Sequence, residues 1–217
     1  MPCAICHFRK EQRFCPALHD RICAVCCGTE REVSLDCPSD CVYLRQARKH
    51  ERPRPLEEVD RARLFPNVEI SESLLYEREP LLAGLSFAVI KAARADGALR
   101  DRDVIAALSD LATTYERLVN SGLHYEPANT NPVQQALASE VRRMIAEYRE
   151  LEAKHLGHSS LRDNEILQLL VFMVRTAYSH TSGRPRSRAF LDVLAERFPE
   201  KSAIAEPQQA GGRIIMP

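Results

Sequence analysis

The 217-residue sequence predicts a mainly α-helical protein, in which a small cysteine-rich module at the N-terminus is followed by an α-helical bundle. Three observations lead to this prediction. All eight cysteines lie between Cys3 and Cys41. Only eight glycines and no tryptophan accompany a hydrophobic content of 45%, a composition that favours helices over a turn-rich all-β fold. From Pro55 onward, apolar residues recur at helical spacing between clear start and stop signals.

Composition divides the chain into four parts. We place the cysteine-rich module at residues 1–44 and a basic helical connector at 45–66. The helical bundle follows at 67–199, and a tail rich in Pro, Gln and Gly at 200–217 is expected to be disordered.

The cysteines of the module follow the spacing C-x2-C-x8-C-x7-C-x2-C-C-x9-C-x3-C. Steps of the C-x2-C kind form tight turns that bring two sulfurs within reach of one tetrahedral Zn²⁺, at about 2.3 Å. An even cysteine count would also suit a disulfide scaffold, but residues 1–10 lack the pattern of a signal peptide, and a reducing cytosol disfavours disulfides. The C-x2-C-x2-C run of many iron–sulfur proteins does not occur. Zinc is therefore the expected cofactor.

So short a module, with so few apolar side chains, cannot bury enough surface to fold alone. Structural zinc contributes on the order of 10 kcal/mol per site and can replace the missing core. Eight thiols divide into two sets of four, which predicts two ions. Because protein ligands would close every position, both ions are expected to be structural rather than catalytic.

This spacing resembles the zinc modules of the cross-brace type, in which ligand pairs one and three hold one ion and pairs two and four hold the other. It looks most like a B-box, with Phe14 before a lone cysteine and Ile22 before the third pair. It is also similar to the MYND-type finger, which would use Cys23 with Cys27 and a closing x3 step. The sequence departs from the B-box at Leu18, which stands at a ligand position and cannot bind metal, and at its end, where a B-box carries histidines. The B-box resemblance implies interaction with another protein, often beside a helical oligomerisation element.

The expected ligands fall into two groups. One ion is assigned to Cys3, Cys6, Cys23 and Cys26, and the other to Cys15, Cys27, Cys37 and Cys41. Two alternatives stay open: Cys26 and Cys27 exchange roles, or His19 is a ligand and one cysteine is spare. Gly28, directly after the double cysteine, is expected to supply a positive φ for the turn.

Prolines, glycines and capping residues define the helices of the remaining chain. The first two are expected at 55–64, where Pro66 stops the helix, and at 72–79. An apolar helix over 80–95 ends at Asp96-Gly97, and Asp101 is expected to cap the next one over 102–121, which ends at Gly122.

Three further helices complete the predicted bundle. A long helix runs from Pro132 to Gly157, and another starts near Ser160 and Asp163. Residues 166–174 are apolar on every side, which places that helix at the centre of the bundle. The last helix is expected at 187–198.

The long helix carries one apolar stripe at steps of three and four residues. Its members are Val133, Leu137, Val141, Met144, Tyr148, Leu151 and His155. Three heptads are marginal for a free coiled coil, so packing within the bundle is favoured. Self-association of two chains through the 132–156 helix is the alternative.

The overall charge is balanced, with 30 basic and 30 acidic residues. The strongest local positive patch is a basic run made of Arg45, Arg48, Lys49, Arg52 and Arg54. It indicates either a solvated helix or a grip on nucleic-acid phosphates, with the arginines of residues 184–188 as a second contact. With two zinc ions bound to eight thiolates, however, residues 1–55 carry a charge near −1, unlike most DNA-reading fingers.

The sequence contains no nucleophile motif, phosphate loop or dinucleotide fingerprint, and we expect no enzyme. No apolar stretch is long enough to span a membrane, so a cytoplasmic protein is expected. The favoured function is a non-catalytic zinc-finger adaptor that binds another protein. A nucleic-acid-binding regulator that uses the basic run is the alternative.

Overall fold

The computed structural model describes residues 1–199, and the predicted disordered tail at 200–217 lies outside them. Eight α-helices and one two-stranded sheet occur in this part of the chain. The mainly α fold class is thereby confirmed. No helix within residues 1–199 is both long and apolar enough to cross a membrane.

The N-terminal module consists of a short hairpin and one short helix. Strands β1 (Arg13–Cys15) and β2 (Asp20–Ile22) pair antiparallel, with Phe14 opposite Arg21. Helix α1 (Ala24–Glu30) follows at once, and Cys23 is its N-cap residue. With so little regular structure, the module has few backbone hydrogen bonds to hold it together.

The connector is less helical than the sequence predicts. Helix α2 (Val42–Arg48) begins directly after Cys41 rather than at residue 45. Two 3₁₀ turns, Leu56–Glu58 and Arg61–Leu64, replace the predicted helix over 55–64. Phe65 then adopts a left-handed backbone conformation, with φ of 52°, which ends the second turn.

The bundle comprises six helices close to the positions that the sequence indicates. They are α3 (Glu72–Glu77), α4 (Glu79–Ala95), α5 (Asp101–Ser121), α6 (Pro132–Leu156), α7 (Asp163–His180) and α8 (Ala189–Arg197). Helix α7 buries eight residues over more than half of its circumference, among them Ile166, Leu167 and Val171, and packs mainly against α5. Its apolar sequence predicts a central position, but α5, which contacts α6, α7 and α8, is at least as central in the bundle.

The stripe on α6 is used largely inside the bundle. Leu137 and Val141 are fully buried, and Met144 and Tyr148 pack against the same core. Only the C-terminal end of the stripe is open, where 55% of Leu151 is exposed. A second copy of the chain that bound through this stripe would therefore find only its C-terminal end exposed.

The two parts of the molecule have separate cores. The bundle core is built from aliphatic and aromatic side chains of α4 to α8. The module core contains seven buried residues, of which five are cysteines and the others are Ile22 and Leu35. Because two aliphatic side chains bury too little apolar surface to fold a module of this size, its stability has to come from what the thiols bind.

Candidate metal centre

Four thiols of the module converge on one point. The sulfurs of Cys3, Cys6, Cys23 and Cys26 all lie within 4.8 Å of one another. In a tetrahedral site with metal–sulfur bonds of about 2.3 Å, neighbouring sulfurs are roughly 3.8 Å apart. This grouping, which we call the first thiol site, is the one that the sequence predicts for one ion.

Two local structures position these thiols. The turn after Cys3 is closed by hydrogen bonds from the His7 N–H to the Cys3 carbonyl and from the Cys3 N–H to the Arg9 carbonyl, both 2.8 Å long. Cys23 and Cys26 occupy the start of α1, where free backbone N–H groups favour negative charge. The site therefore joins a turn near the N-terminus to the first turn of a helix.

Backbone N–H groups donate to the sulfurs, which is how a protein stabilises thiolates. The Cys3 sulfur accepts from the Cys23 N–H at 3.2 Å, and the Cys23 sulfur accepts from the Cys26 N–H at 3.4 Å. The Cys6 sulfur accepts from the Arg9 N–H at 3.5 Å. These bonds orient the lone pairs of the sulfurs and offset part of the negative charge that four thiolates would bring together.

The thiols differ in how readily they ionise. Burial raises the pKa of Cys3, but backbone hydrogen bonds from Cys6, Cys23 and Ile5 outweigh it and bring the pKa to about 6. Backbone hydrogen bonds from Arg9 and Phe8 lower the pKa of Cys6. Burial and the neighbouring thiols raise the pKa of Cys26 to about 12. Four ionised thiols this close repel one another, and a bound cation is what would remove the repulsion.

The donor set fits a single metal ion. All eight cysteines are free thiols, so no disulfide competes for these sulfurs. A spacing of 4.8 Å or less leaves room for one ion but not for a multinuclear cluster, which would sit between its ligands and hold them further apart. Four protein ligands complete a tetrahedron without a position for water or substrate, as in structural zinc sites.

The other four cysteines line one small cavity. Cys15, Cys27, Cys37 and Cys41 all line one cavity of about 10 Å³, roughly the space that one water molecule or ion requires. The pKa of Cys37 is raised, first by burial and then by the charges of Cys41 and Cys15, although the Glu32 backbone lowers it in part. Among residues 1–199, however, only the first thiol site reaches the 4.8 Å spacing. We call these four residues the second thiol set.

An arginine lies beside the second thiol set. The Arg13 side chain donates to the Cys27 sulfur at 3.5 Å and stacks on the ring of Tyr43, 4.6 Å from its centre. Because Cys26 and Cys27 are adjacent in α1, this helix connects the first thiol site to the second thiol set. The assignment of Cys26 to the former and Cys27 to the latter, rather than the exchanged roles, agrees with this geometry.

One sequence expectation fails at the turns. Gly28 does not supply a positive φ, because it lies within α1; the left-handed positions of the module are His7, His19 and Glu32, with φ of 53°, 53° and 55°. His19 occupies the hairpin turn, is exposed, and does not line the cavity of the second thiol set. Its role as an alternate ligand stays a prediction.

The basic run is divided between internal contacts and solvent. Arg48 forms ion pairs with Glu32 and Asp192, and Arg54 pairs with Glu58. The side chains that face solvent are Arg45, Lys49 and Arg52.

The arginines of residues 184–188 also make internal contacts. Arg184 donates to the carbonyls of Gly28 and Arg31, and Arg188 to those of Gly97 and Leu99. A nucleic acid would therefore have fewer free cations to contact than the sequence suggests.

Sequence reasoning overlooked Glu32, which is 2% exposed although it is charged. Nothing in its sequence context distinguishes it from the exposed acidic residues around it. Comparison with models of protein families, with curated proteins and with solved structures found no match to this chain. The functional conclusion therefore depends on the geometry of the chain itself.

Proposed function

We propose that the protein is a non-catalytic zinc-binding adaptor, in which two structural zinc ions shape a small module that binds another protein. The observation that carries this proposal is the distribution of exposed apolar side chains. Seven of the fourteen large hydrophobic residues exposed in the described chain lie within its first 42 residues. A module of this size with so much exposed apolar surface has the character of a protein-binding surface.

The geometry of the first thiol site is the evidence for one zinc ion, and the cavity lined by the second thiol set is the evidence for the other. The second thiol set would close on its ion by movement of its side chains, which already line one cavity. Arg13 beside Cys27 would offset part of the −2 charge that a zinc with four thiolates carries. Neither ion would retain an open position, so zinc here would stabilise structure and would not activate water.

The apolar surface is linked to the first thiol site. Phe8 is 87% exposed and lies two residues after Cys6, beside Arg9, whose backbone N–H donates to the Cys6 sulfur. Val25 is 50% exposed and stands between two of the ligands, Cys23 and Cys26. Metal at this site would therefore hold both side chains in fixed positions, and a fixed apolar surface costs less conformational entropy on binding than a mobile one.

Replacing both Phe8 and Val25 with serine should abolish capture of the partner without loss of zinc, because neither side chain is a ligand. The bait is the full chain, and the measurement is affinity purification from the native host followed by quantification of the recovered proteins. Tyr76, which is also 87% exposed but lies on the bundle, provides the matched control Tyr76→Ser. The proposal predicts that a partner recovered with the wild-type protein and with Tyr76→Ser disappears with the double variant. Equal recovery with all three proteins would contradict it.

The nucleic-acid alternative rests on the three solvent-facing cations of the basic run. If the protein bound nucleic acid through these cations, a triple variant would lose salt-sensitive binding of DNA or RNA. The variant combines Arg45→Glu, Lys49→Glu and Arg52→Glu. The adaptor proposal expects protein capture by this triple variant to remain unchanged.

A further inference from the structure

One loop of the module makes the contacts with the bundle. It comprises residues 28–39, which we call the docking loop, and it lies between Cys27 and Cys41 of the second thiol set. Its contacts with the bundle are Gly28 and Arg31 with Arg184, Glu32 with Ser182 and Arg186, Asp36 with Arg100, and Ser39 with Asp192. Glu32 also pairs with Arg48 of the connector helix α2, which in turn pairs with Asp192 of the bundle. These contacts are hydrogen bonds and ion pairs, while the apolar cores of module and bundle stay separate.

Glu32 joins the second thiol set to the bundle. Its backbone lies close enough to Cys37 to lower the pKa of that thiol, and its carbonyl accepts from the Arg186 N–H at 2.8 Å. Its carboxylate accepts from Arg48 at 2.7 Å and from the Ser182 hydroxyl at 3.0 Å. One residue therefore contacts a proposed metal ligand and the bundle at the same time.

The conformation of Glu32 depends on these surroundings. It has φ of 55°, a left-handed conformation that residues other than glycine rarely adopt without support. Its carboxylate is buried, so that it needs its charged partners to offset the loss of hydration. If the docking loop changed shape, these contacts would be lost together.

A metal ion in the second thiol set would constrain the docking loop. Linking Cys27 to Cys37 and Cys41 fixes both ends of the loop and removes much of its conformational freedom. Without the ion, the loop would have to be held by its polar contacts alone, and polar interfaces of this kind commonly permit motion between domains.

We propose that metal binding at the second thiol set controls the docking of the N-terminal module on the helical bundle, with Glu32 as the connecting residue. This inference rests on the proposed second zinc ion. With metal bound, the docking loop holds Arg184 and Arg186 of the bundle, and Arg48 of α2 bridges Glu32 and Asp192. Without it, the module separates from a bundle that stays folded. The device would let zinc supply regulate how the apolar surface of the module is presented to a partner.

Thermodynamic linkage makes the coupling reciprocal. If the metal stabilises docking, then docking strengthens metal binding by the same factor. A variant that weakens docking without removing a ligand should therefore lose its second zinc more readily. Glu32→Gln is such a variant, because it removes the carboxylate charge and leaves the backbone contacts in place. The Glu32 charge raises the pKa of Cys37, so its removal would by itself favour the Cys37 thiolate, and weaker zinc binding in this variant would report lost docking. Glu30→Gln is the matched control, since the Glu30 side chain bonds only to Ser34 within the same loop.

The experiment uses the full chain as wild type, Glu32→Gln and Glu30→Gln, each loaded with zinc. Native mass spectrometry counts the ions, a competing chelator measures the affinity for the more weakly bound one, and hydrogen exchange follows single amides. The Arg186 N–H reports docking because it bonds to Glu32, and the Asp101 N–H, which bonds to Ser187 within the bundle, is the internal reference.

Removing the second zinc from the wild type should speed exchange at the Arg186 amide at least tenfold and leave Asp101 unchanged. Glu32→Gln should hold its second zinc about tenfold more weakly, within the usual range of coupling between sites, and Glu30→Gln should match the wild type. In another outcome, the wild type binds two zinc ions, both variants hold zinc as tightly as it does, and exchange at the Arg186 amide does not change when the metal is removed. That result would overturn the coupling and leave the two-zinc proposal standing. A wild type that binds only one zinc overturns both.

Discussion

Cys26→Ser is expected to release the metal of the first thiol site and to unfold residues 1–44, while the helical circular dichroism of the bundle stays largely intact. The reason is the composition of the two cores. Five of the seven residues in the module core are cysteines, whereas the bundle core is built from aliphatic and aromatic side chains. Without the metal the module has almost nothing apolar to bury, and zinc modules of this kind unfold when the ion is lost.

The measurement combines zinc analysis with far-ultraviolet circular dichroism and proteolysis of the module. Val25→Ser is the control, because it lies one residue from Cys26 on the same helix and is half exposed, so it should retain its zinc. A helical signal that collapses together with zinc release would show that module and bundle form one cooperative unit. Such a result would contradict the separation of their cores.

Asp101→Ala is expected to lower the free energy of unfolding of the bundle by about 3 kcal/mol, since buried donors left without an acceptor cost about 1–3 kcal/mol each. Asp101 is fully buried and accepts from the Ser187 hydroxyl at 2.7 Å and from the N–H groups of Phe190 and Leu191 at 3.2 Å. Its carboxylate thus satisfies the first turn of α8 from a different helix. Denaturant unfolding of both proteins measures the difference, and a loss below 0.5 kcal/mol would contradict this role.

The pH dependence of Asp101 provides a second test. Burial raises its pKa above the ordinary value of 3.8, against the hydrogen bonds that lower it. The protonated form is therefore favoured by folding, and the stability linked to this proton is fully present below pH 3.8 and lost as the pH rises through the folded pKa. The stability of the wild type relative to Asp101→Asn, which cannot ionise, should accordingly be highest in acid. A difference that is constant with pH would show that the carboxyl does not titrate in this way.

The sequence predicts the helices well because each carries its own local signals. Pro132 at the first turn and Gly157 after the last residue of α6 are such signals, and the structure places the helix ends at these residues. The C-x2-C spacing predicts the two pairs, Cys3 with Cys6 and Cys23 with Cys26, and the resemblance to cross-brace modules implies that these pairs share one ion, as their sulfurs do in space.

Residues that act across the fold are less predictable. Asp101 has the sequence position of a cap for α5, yet its side chain caps α8, which lies almost 90 residues away in the chain. Arg48 and Arg184 belong to basic stretches that suggest contact with phosphates, yet they contact Glu32 and the carbonyls of the docking loop. Their partners are set by how the module packs on the bundle, which local patterns do not encode.

Native mass spectrometry of the full chain at neutral pH shows whether two zinc ions build the module. The wild type should carry two zinc ions per chain. Cys41→Ser, which alters only the second thiol set, should carry one and retain the first thiol site. A wild type with one zinc ion, or with none, would show that the module is not a two-zinc structure.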